Sequence, residues 1–473
     1  MTTTDPTQMS ATELVARYRR RELSPVEVTK AALARIGQLN PIVNAFCHLD
    51  PGGALAQAVA SEARWMRGEP KGLADGVPTT IKDLTAVKGW PTRRGSKLTT
   101  AAPSAIDAPA VATLRGHGAV LLGKTTTPEF GWKGLTDSPL TGITRNPWNT
   151  AMTTGGSSGG AGAAAVLGLG ALHTGTDGAG SVRIPASFCG CFGLKTTYGR
   201  IPLYPASPMG SLAVLGPMTR TVADAALMMN VMAAPDPRDP TAERGAAPDF
   251  SAGLDGGIKG LRIAYSPRLG GHASRVDPEV EAIVAGAVKA FEALGAHVEL
   301  AGPEMPGNLY ELLITQWSAG SATVLDSYEP GAGTGSDPGF VAMAERGRKV
   351  SAGDYLRAGI ARVDWAVAME TFHERYDLLV TPALAVTAFE AGRDTPADGT
   401  WSGDWVGWTP FTYPFNLSYQ PAASCPAGFS KAGLPVGLQI VGRAGADALV
   451  LRAARAFEGV RPFKMCEAVG EGR

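Results

Sequence analysis

A lysine and two serine-bearing glycine turns supply the residue types that acyl-transfer chemistry needs. The first turn is Gly155-Gly156-Ser157-Ser158-Gly159-Gly160 and the second is Asp177-Gly178-Ala179-Gly180-Ser181. Glycine reaches positive φ without steric penalty and lets a substrate approach main-chain N–H groups. Successive N–H groups in such a turn form a concave nest that favours negative charge. A serine closing the nest therefore has an oxyanion site beside it, although a Gly/Ser loop alone is more often a plain turn. Such a nucleophile needs a base, and Lys82 can be one when buried, because burial disfavours the ammonium form. Its pKa must fall from about 10.4 to roughly 7–8 for work at neutral pH. A second serine can relay the proton between amine and nucleophile.

A histidine-based reading competes. Gly156-Ser157-Ser158-Gly159-Gly160 satisfies G-x-S-x-G, which would make Ser158 the nucleophile. The histidine must then follow an acidic partner in the chain. The last one, His373, has no strand-end aspartate clearly paired with it, so the pattern fits poorly. No two of the six histidines have ligand spacing, and Cys189-Gly190-Cys191 has no second pair to complete a zinc set. No metal and no cofactor is expected. Gly118-x-x-x-x-Gly123-Lys124-Thr125 matches the phosphate-loop letters. Its middle residues read as a strand, however, and Pro128 interrupts the helix that should follow, so nucleotide binding is rejected.

The elements that must position these groups are partly legible. Val77, Thr79 and Ile81 alternate with Thr80 and Lys82, which places Lys82 on a short strand, on the face opposite Ile81. The small apolar run Ala161–Leu169 predicts a buried helix, followed by a strand near Ala171–Thr174. Upstream, Ser10-x-x-Glu13 and Ser24-Pro25-Val26-Glu27 mark two helix starts. The second helix is expected to stop at Asn40-Pro41, and residues 50–67 read as a third. Later segments alternate strand and helix, which indicates an α/β fold. Residues 304–349 show weak periodicity. Trp401, Trp405 and Trp408 fall in one loop, Thr400–Phe411, and are expected to line an apolar pocket.

Composition narrows the function classes. The chain has 473 residues, 44% apolar, and zero formal net charge. Length alone suggests two or three domains. Neutrality argues against nucleic acid or an anionic membrane as partner. No stretch is long and apolar enough to span a bilayer, and no secretory signal is seen. Five scattered cysteines suit a reducing, cytoplasmic setting.

The chain resembles the amidase signature family. The match runs from Gly76 to about Met232, resumes in Tyr376–Pro382, and returns from Asn416 to Gly442 with Gly433-Leu434-Pro435-Val436-Gly437-Leu438-Gln439. The resemblance implies an α/β fold, one α/β/α sandwich with a mixed central sheet. On that reading residues 1–60 are an N-terminal helical segment packed on a catalytic domain of residues 61–473. Variable pocket insertions are expected at about 301–350 and 385–412. It implies Lys82 as base, Ser157 as relay after a cis peptide bond, and Ser181 as nucleophile. The N–H groups of Gly178, Ala179, Gly180 and Ser181 would form the oxyanion hole, with Ser158, Asp177 and Arg183 in support. Pocket-shaping residues are expected in 130–138, 204–211, 308–328 and 401–411, including Trp132. The family usually reads Gly-Gly-Ser where this chain has Ala179-Gly180-Ser181, which is harmless only if residue 179 needs no positive φ.

The implied activity is hydrolysis of small-molecule amides through an acyl-enzyme, with esters and carbamates presenting the same carbonyl. Homodimers are among the assemblies the resemblance allows. A glutamine-hydrolysing amidotransferase A subunit is the alternative. That branch usually continues Ser-Ile-Arg-Gln-Pro where this chain has Ser181-Val182-Arg183-Ile184-Pro185. A non-catalytic small-molecule binding protein is the third reading.

Overall fold

Lys82 closes the strand Pro78–Lys82, which is buried along its whole length and lies inside an eleven-stranded sheet. A computed structural model describes residues 5–467 and 469, apart from 330, 332, 398, 402 and 403. The chain ends and parts of both expected insertions thus lie outside the described residues. In spatial order the first strands are Phe46–Leu49, Val120–Thr125, Pro78–Lys82, Leu172–Asp177, Val214–Thr219 and Phe192–Lys195. The order continues with Ala422–Phe429, Pro435–Gly442, Leu378–Pro382, Arg262–Tyr265 and His297–Leu300. Pro78–Lys82 runs parallel to both neighbours, whereas the strands from Val214–Thr219 to Pro435–Gly442 pair antiparallel. The sheet is therefore mixed and flanked by helices, as expected of the α/β class. Two two-stranded sheets, Asp137–Ser138 with Gly142–Ile143 and Arg145–Asn146 with Asn149–Thr153, accompany this large sheet.

The N-terminal segment is not wholly helical, because Phe46–Leu49 pairs antiparallel with Val120–Thr125 at the sheet edge. The helix Pro25–Val43 also runs past the stop expected at Asn40-Pro41. Proline in a last turn removes little hydrogen bonding. Here Asn44 supplies the left-handed cap at φ 53°, and Asn40 Oδ1 accepts from Ala45 N and Phe46 N at 2.8 Å each.

Each serine turn opens a buried helix, Gly159–Leu167 and Arg183–Cys189, and the two helices pack against one another. The strand Leu172–Asp177 joins them. Small residues make this approach possible. A Cβ on Gly160 would lie 2.5 Å from Ala45 O, and one on Gly156 would lie 2.1 Å from Leu135 O. The two turns are thus brought to one end of the sheet, where Lys82 also ends.

Helix Leu309–Leu325 is followed by Pro338–Gly347 and Ala352–Phe372, in the region of weak periodicity and beyond it. The last of these buries Trp365 and Met369 yet exposes Leu356, Ile360, Val363 and Val367. Apolar residues on both faces blur the 3.6-residue period by which a helix is recognised.

Candidate active site

Lys82, with its side chain fully buried, places Nζ 2.6 Å from Ser157 Oγ. Ser158 Oγ and Thr176 Oγ1 each lie at 2.8 Å, and Thr176 O at 3.4 Å. Among the described residues no carboxylate pairs with it. Burial pushes the Lys82 ammonium well below its ordinary range, and the buried Asp177 only partly offsets this. Ser158 Oγ donates to Thr176 O at 3.2 Å and accepts from Thr176 N–H at 3.3 Å. It is therefore an acceptor towards Lys82, whose Nζ also donates to Thr176 Oγ1 and Ser157 Oγ. The peptide bond between Gly156 and Ser157 is cis.

The second turn is held from below by an ion pair with no solvent access. Arg183 Nε donates to Asp177 Oδ2 at 3.0 Å and Nη2 to Asp177 Oδ1 at 2.9 Å. Its other donors reach Thr412 O, Asn416 Oδ1 and Gln439 Oε1. Burial acts to raise the Asp177 carboxyl, but the Arg183 charge and hydrogen bond, Lys195 and Asn416 outweigh it and hold the group below the usual carboxylate range. Thr412 Oγ1 ties the turn again by donating to Ala179 O at 2.8 Å.

Gly180 corrects one expectation. Its N–H donates to Asp177 Oδ1 at 2.8 Å, so this group is spent on the turn and is not free for an oxyanion. Among the described residues, the N–H groups of Gly178, Ala179 and Ser181 make no hydrogen bond. Gly180 carries the turn's left-handed geometry at φ 128°, and a Cβ there would meet Thr412 Oγ1 at 2.5 Å. Ala179 adopts no positive φ, so the departure from Gly-Gly-Ser is sterically neutral. Ala179→Gly should leave kcat/KM within about a factor of three and lower stability by about 0.4–1 kcal/mol, through added unfolded-state freedom. Steady-state kinetics and urea unfolding check both.

Ser157 and Ser181 line one cavity of about 120 Å³. At about 30 Å³ for each water, that is room for roughly four waters. Ser158, fully buried, does not line it, nor does any of the six histidines. The nucleophile-elbow reading thus lacks both an accessible serine and a base. Lys124 of the rejected phosphate-loop pattern is buried in a strand and paired with Asp83 at 2.8 Å. The described residues hold no cluster that could bind a metal ion, and no helix among them is long and apolar enough to cross a membrane.

The cavity walls come from Leu84–Ala86, Phe130, Gly131, Leu203–Met209, Trp317 and Val324, among others. The expected segments 130–138, 204–211 and 308–328 each contribute. The tryptophan expectation is overturned: Trp132, Trp401, Trp405 and Trp408 are not among the lining residues. Trp408 stacks on Phe188 at 5.7 Å, and Trp405 meets Trp317 edge-on at 5.9 Å. Trp132 instead offers its carbonyl to Trp317 Nε1 at 2.9 Å, while Trp401 is half-buried against the core. The loop fills space behind the site and delivers Thr412, which braces the second turn. Trp317 lines the cavity because Gly178 leaves room for it; a Cβ there would sit 2.9 Å from the indole. Sequence reasoning also missed Thr176. The signal was its alternation with Thr174, since Lys82 N donates to Thr174 Oγ1 at 3.1 Å and both threonines share one strand face.

A buried lysine hydrogen-bonded to the hydroxyls of Ser157 and Ser158 thus sits at the end of an inner strand of a mixed α/β sheet. The chain belongs to the amidase family, whose model matches residues 27–451. It is 41% identical over 461 residues to an acylamidase of Rhodococcus erythropolis, covering 96% of each chain. It is 35% identical over 471 residues to the A subunit of the glutamyl-tRNA(Gln) amidotransferase of Geobacter metallireducens, covering 94% of this chain and 96% of that one. Among solved structures it superposes on a bacterial aryl acylamidase with a TM-score of 0.88 at 31% identity, covering 96% of each chain.

Proposed function

We propose that the chain hydrolyses the C–N bond of small-molecule amides through an acyl-enzyme on Ser181. The observation that carries this reading is the buried, carboxylate-free Lys82 amine 2.6 Å from Ser157 Oγ, with Ser157 and Ser181 on one cavity. Ser181 Oγ attacks the carbonyl carbon while its proton passes to Ser157, whose own proton moves to the Lys82 lone pair. The tetrahedral oxyanion is met by the N–H groups of Gly178, Ala179 and Ser181; each such donor is worth about 2.7–4 kcal/mol of barrier. The leaving amine takes the proton back along the same route. Water then attacks the ester of Ser181 with Lys82 again as base, releasing the acid. Esters and carbamates present the same carbonyl and belong to the proposed range.

The amidotransferase reading draws on the relatives of that name, and the acylamidase similarity favours the free-standing hydrolase. Peptide mapping after treatment with a fluorophosphonate tests the proposal. We expect the label on Ser181 in the isolated chain, together with turnover of simple anilides. A label on Ser158, or none on a folded sample, counts against it. Turnover of glutamine alone would favour the second reading.

A further inference from the structure

The cavity that holds Ser157 and Ser181 is walled by alanine, leucine, proline, methionine and aromatic side chains with a few hydroxyls, and Arg94 is the one charged residue among those that line it. Arg94 is half-buried. Among the described residues its guanidinium has neither an ion-pair partner nor a hydrogen bond. The carboxylate of Glu129, beside the cavity residue Phe130, makes its hydrogen bonds to other groups and no ion pair with Arg94 among the described residues. Its Oε1 accepts from Ser96 Oγ and its Oε2 from Asp337 N–H, each at 2.6 Å. A guanidinium stays charged at any working pH. A ligand anion in the cavity would supply the ion pair that no carboxylate among the described residues makes with this half-buried guanidinium.

The backbone beneath it is also specially held. Arg94 and Phe130 both adopt left-handed conformations, each at φ 52°, and Phe130 N–H donates to Arg94 O at 2.7 Å. Gly95, at φ 64°, fits under this junction, where a Cβ would lie 2.5 Å from Thr127 O. Left-handed geometry costs a residue other than glycine roughly 1–2 kcal/mol, and two such residues bonded to each other fix where the Arg94 side chain leaves the chain. Conformations of this kind cluster where a ligand is clamped.

We propose that Arg94 forms a carboxylate subsite in the cavity, so that the preferred substrates are amides bearing a carboxylate on their acyl or amine part. The proposal rests on the Ser181 reading above. A single guanidinium matches a singly charged carboxylate, which it grips with two parallel N–H···O bonds. A phosphate dianion would call for a second cation, and none lines the cavity among the described residues.

Two matched substrate pairs test it. Glutaric acid mono-4-nitroanilide against valeric acid 4-nitroanilide exchanges a terminal carboxylate for a methyl on the acyl side. 4-Acetamidobenzoate against 4-acetamidotoluene makes the same exchange on the amine side. In at least one pair the carboxylate member is expected to lead by about tenfold to a hundredfold in kcat/KM. Arg94→Gln should collapse that ratio and Arg94→Lys restore part of it. A merely structural role would lower both members alike and leave the ratio standing, which overturns the proposal. A wild type that takes fluorophosphonate on Ser181 but is indifferent to the carboxylate in both pairs overturns the subsite alone. A wild type with no label on Ser181 overturns the catalytic reading and the subsite with it.

Discussion

Lys82→Met should lower kcat/KM by about 10²–10⁴-fold while leaving the protein folded. Methionine keeps the length and the apolar stem of lysine but has no basic nitrogen to receive the Ser157 proton. The same residue sets the pH dependence. Only the neutral amine accepts a proton, so wild-type kcat/KM should climb with pH through the depressed pKa of Lys82 and then level off. A profile that falls steadily above pH 7 would sink the assignment. Stability follows the same residue. The unfolded chain protonates Lys82 up to about pH 10.4, whereas burial depresses the folded value well below that. Between the two the unfolded state binds more protons, so stability rises with pH. The destabilising contribution is complete below the folded pKa and gone above the unfolded one. Lys82→Met should therefore show a shallower rise of stability with pH than wild type across that window. Urea unfolding at several pH values reads this directly, and parallel curves would mean that Lys82 is not buried as an amine.

Arg183→Met should destabilise the fold by about 3–5 kcal/mol, the usual result of removing one partner from a buried ion pair. It leaves Asp177 inside the protein without its counter-charge and frees the carbonyl of Thr412 and the side chains of Asn416 and Gln439. Asp177 also accepts from Gly180 N–H and Val182 N–H. A displaced Asp177 thus disorders the turn that presents Ser181, and activity should fall with stability. Arg183→Lys should recover only part of either, because three donors cannot serve the acceptors that the planar fork serves. An unfolding midpoint unchanged by Arg183→Met would show that the pair contributes nothing to holding the turn.

The candidate site was legible in the chain because it rests on local residue types. Glycine turns around Ser157 and Ser181, a small-residue helix between them, and a lysine ending an apolar strand each carry their own signature. Other elements were hidden by composition. Val214–Thr219 contains Pro217, and Ala422–Phe429 has Pro426 beside a register irregularity. Proline ordinarily argues against an inner strand, yet both are paired on two sides.

Alone, the sequence determined which groups are available: an amine, two hydroxyls, glycines where φ is positive, and several cations in the loop that includes Arg93, Arg94 and Lys97. Only the tertiary structure decided their states. Whether Lys82 is an ammonium or an amine depends on what surrounds it. Whether Gly180 N–H is free depends on where Asp177 is held by Arg183, and through Arg183 by residues more than two hundred positions away. The tryptophan loop makes the same point, since three indoles within eight residues have one composition whether they line a pocket or fill the space behind it. Burial, hydrogen-bond occupancy and charge pairing are properties of neighbours, and the fold assigns the neighbours.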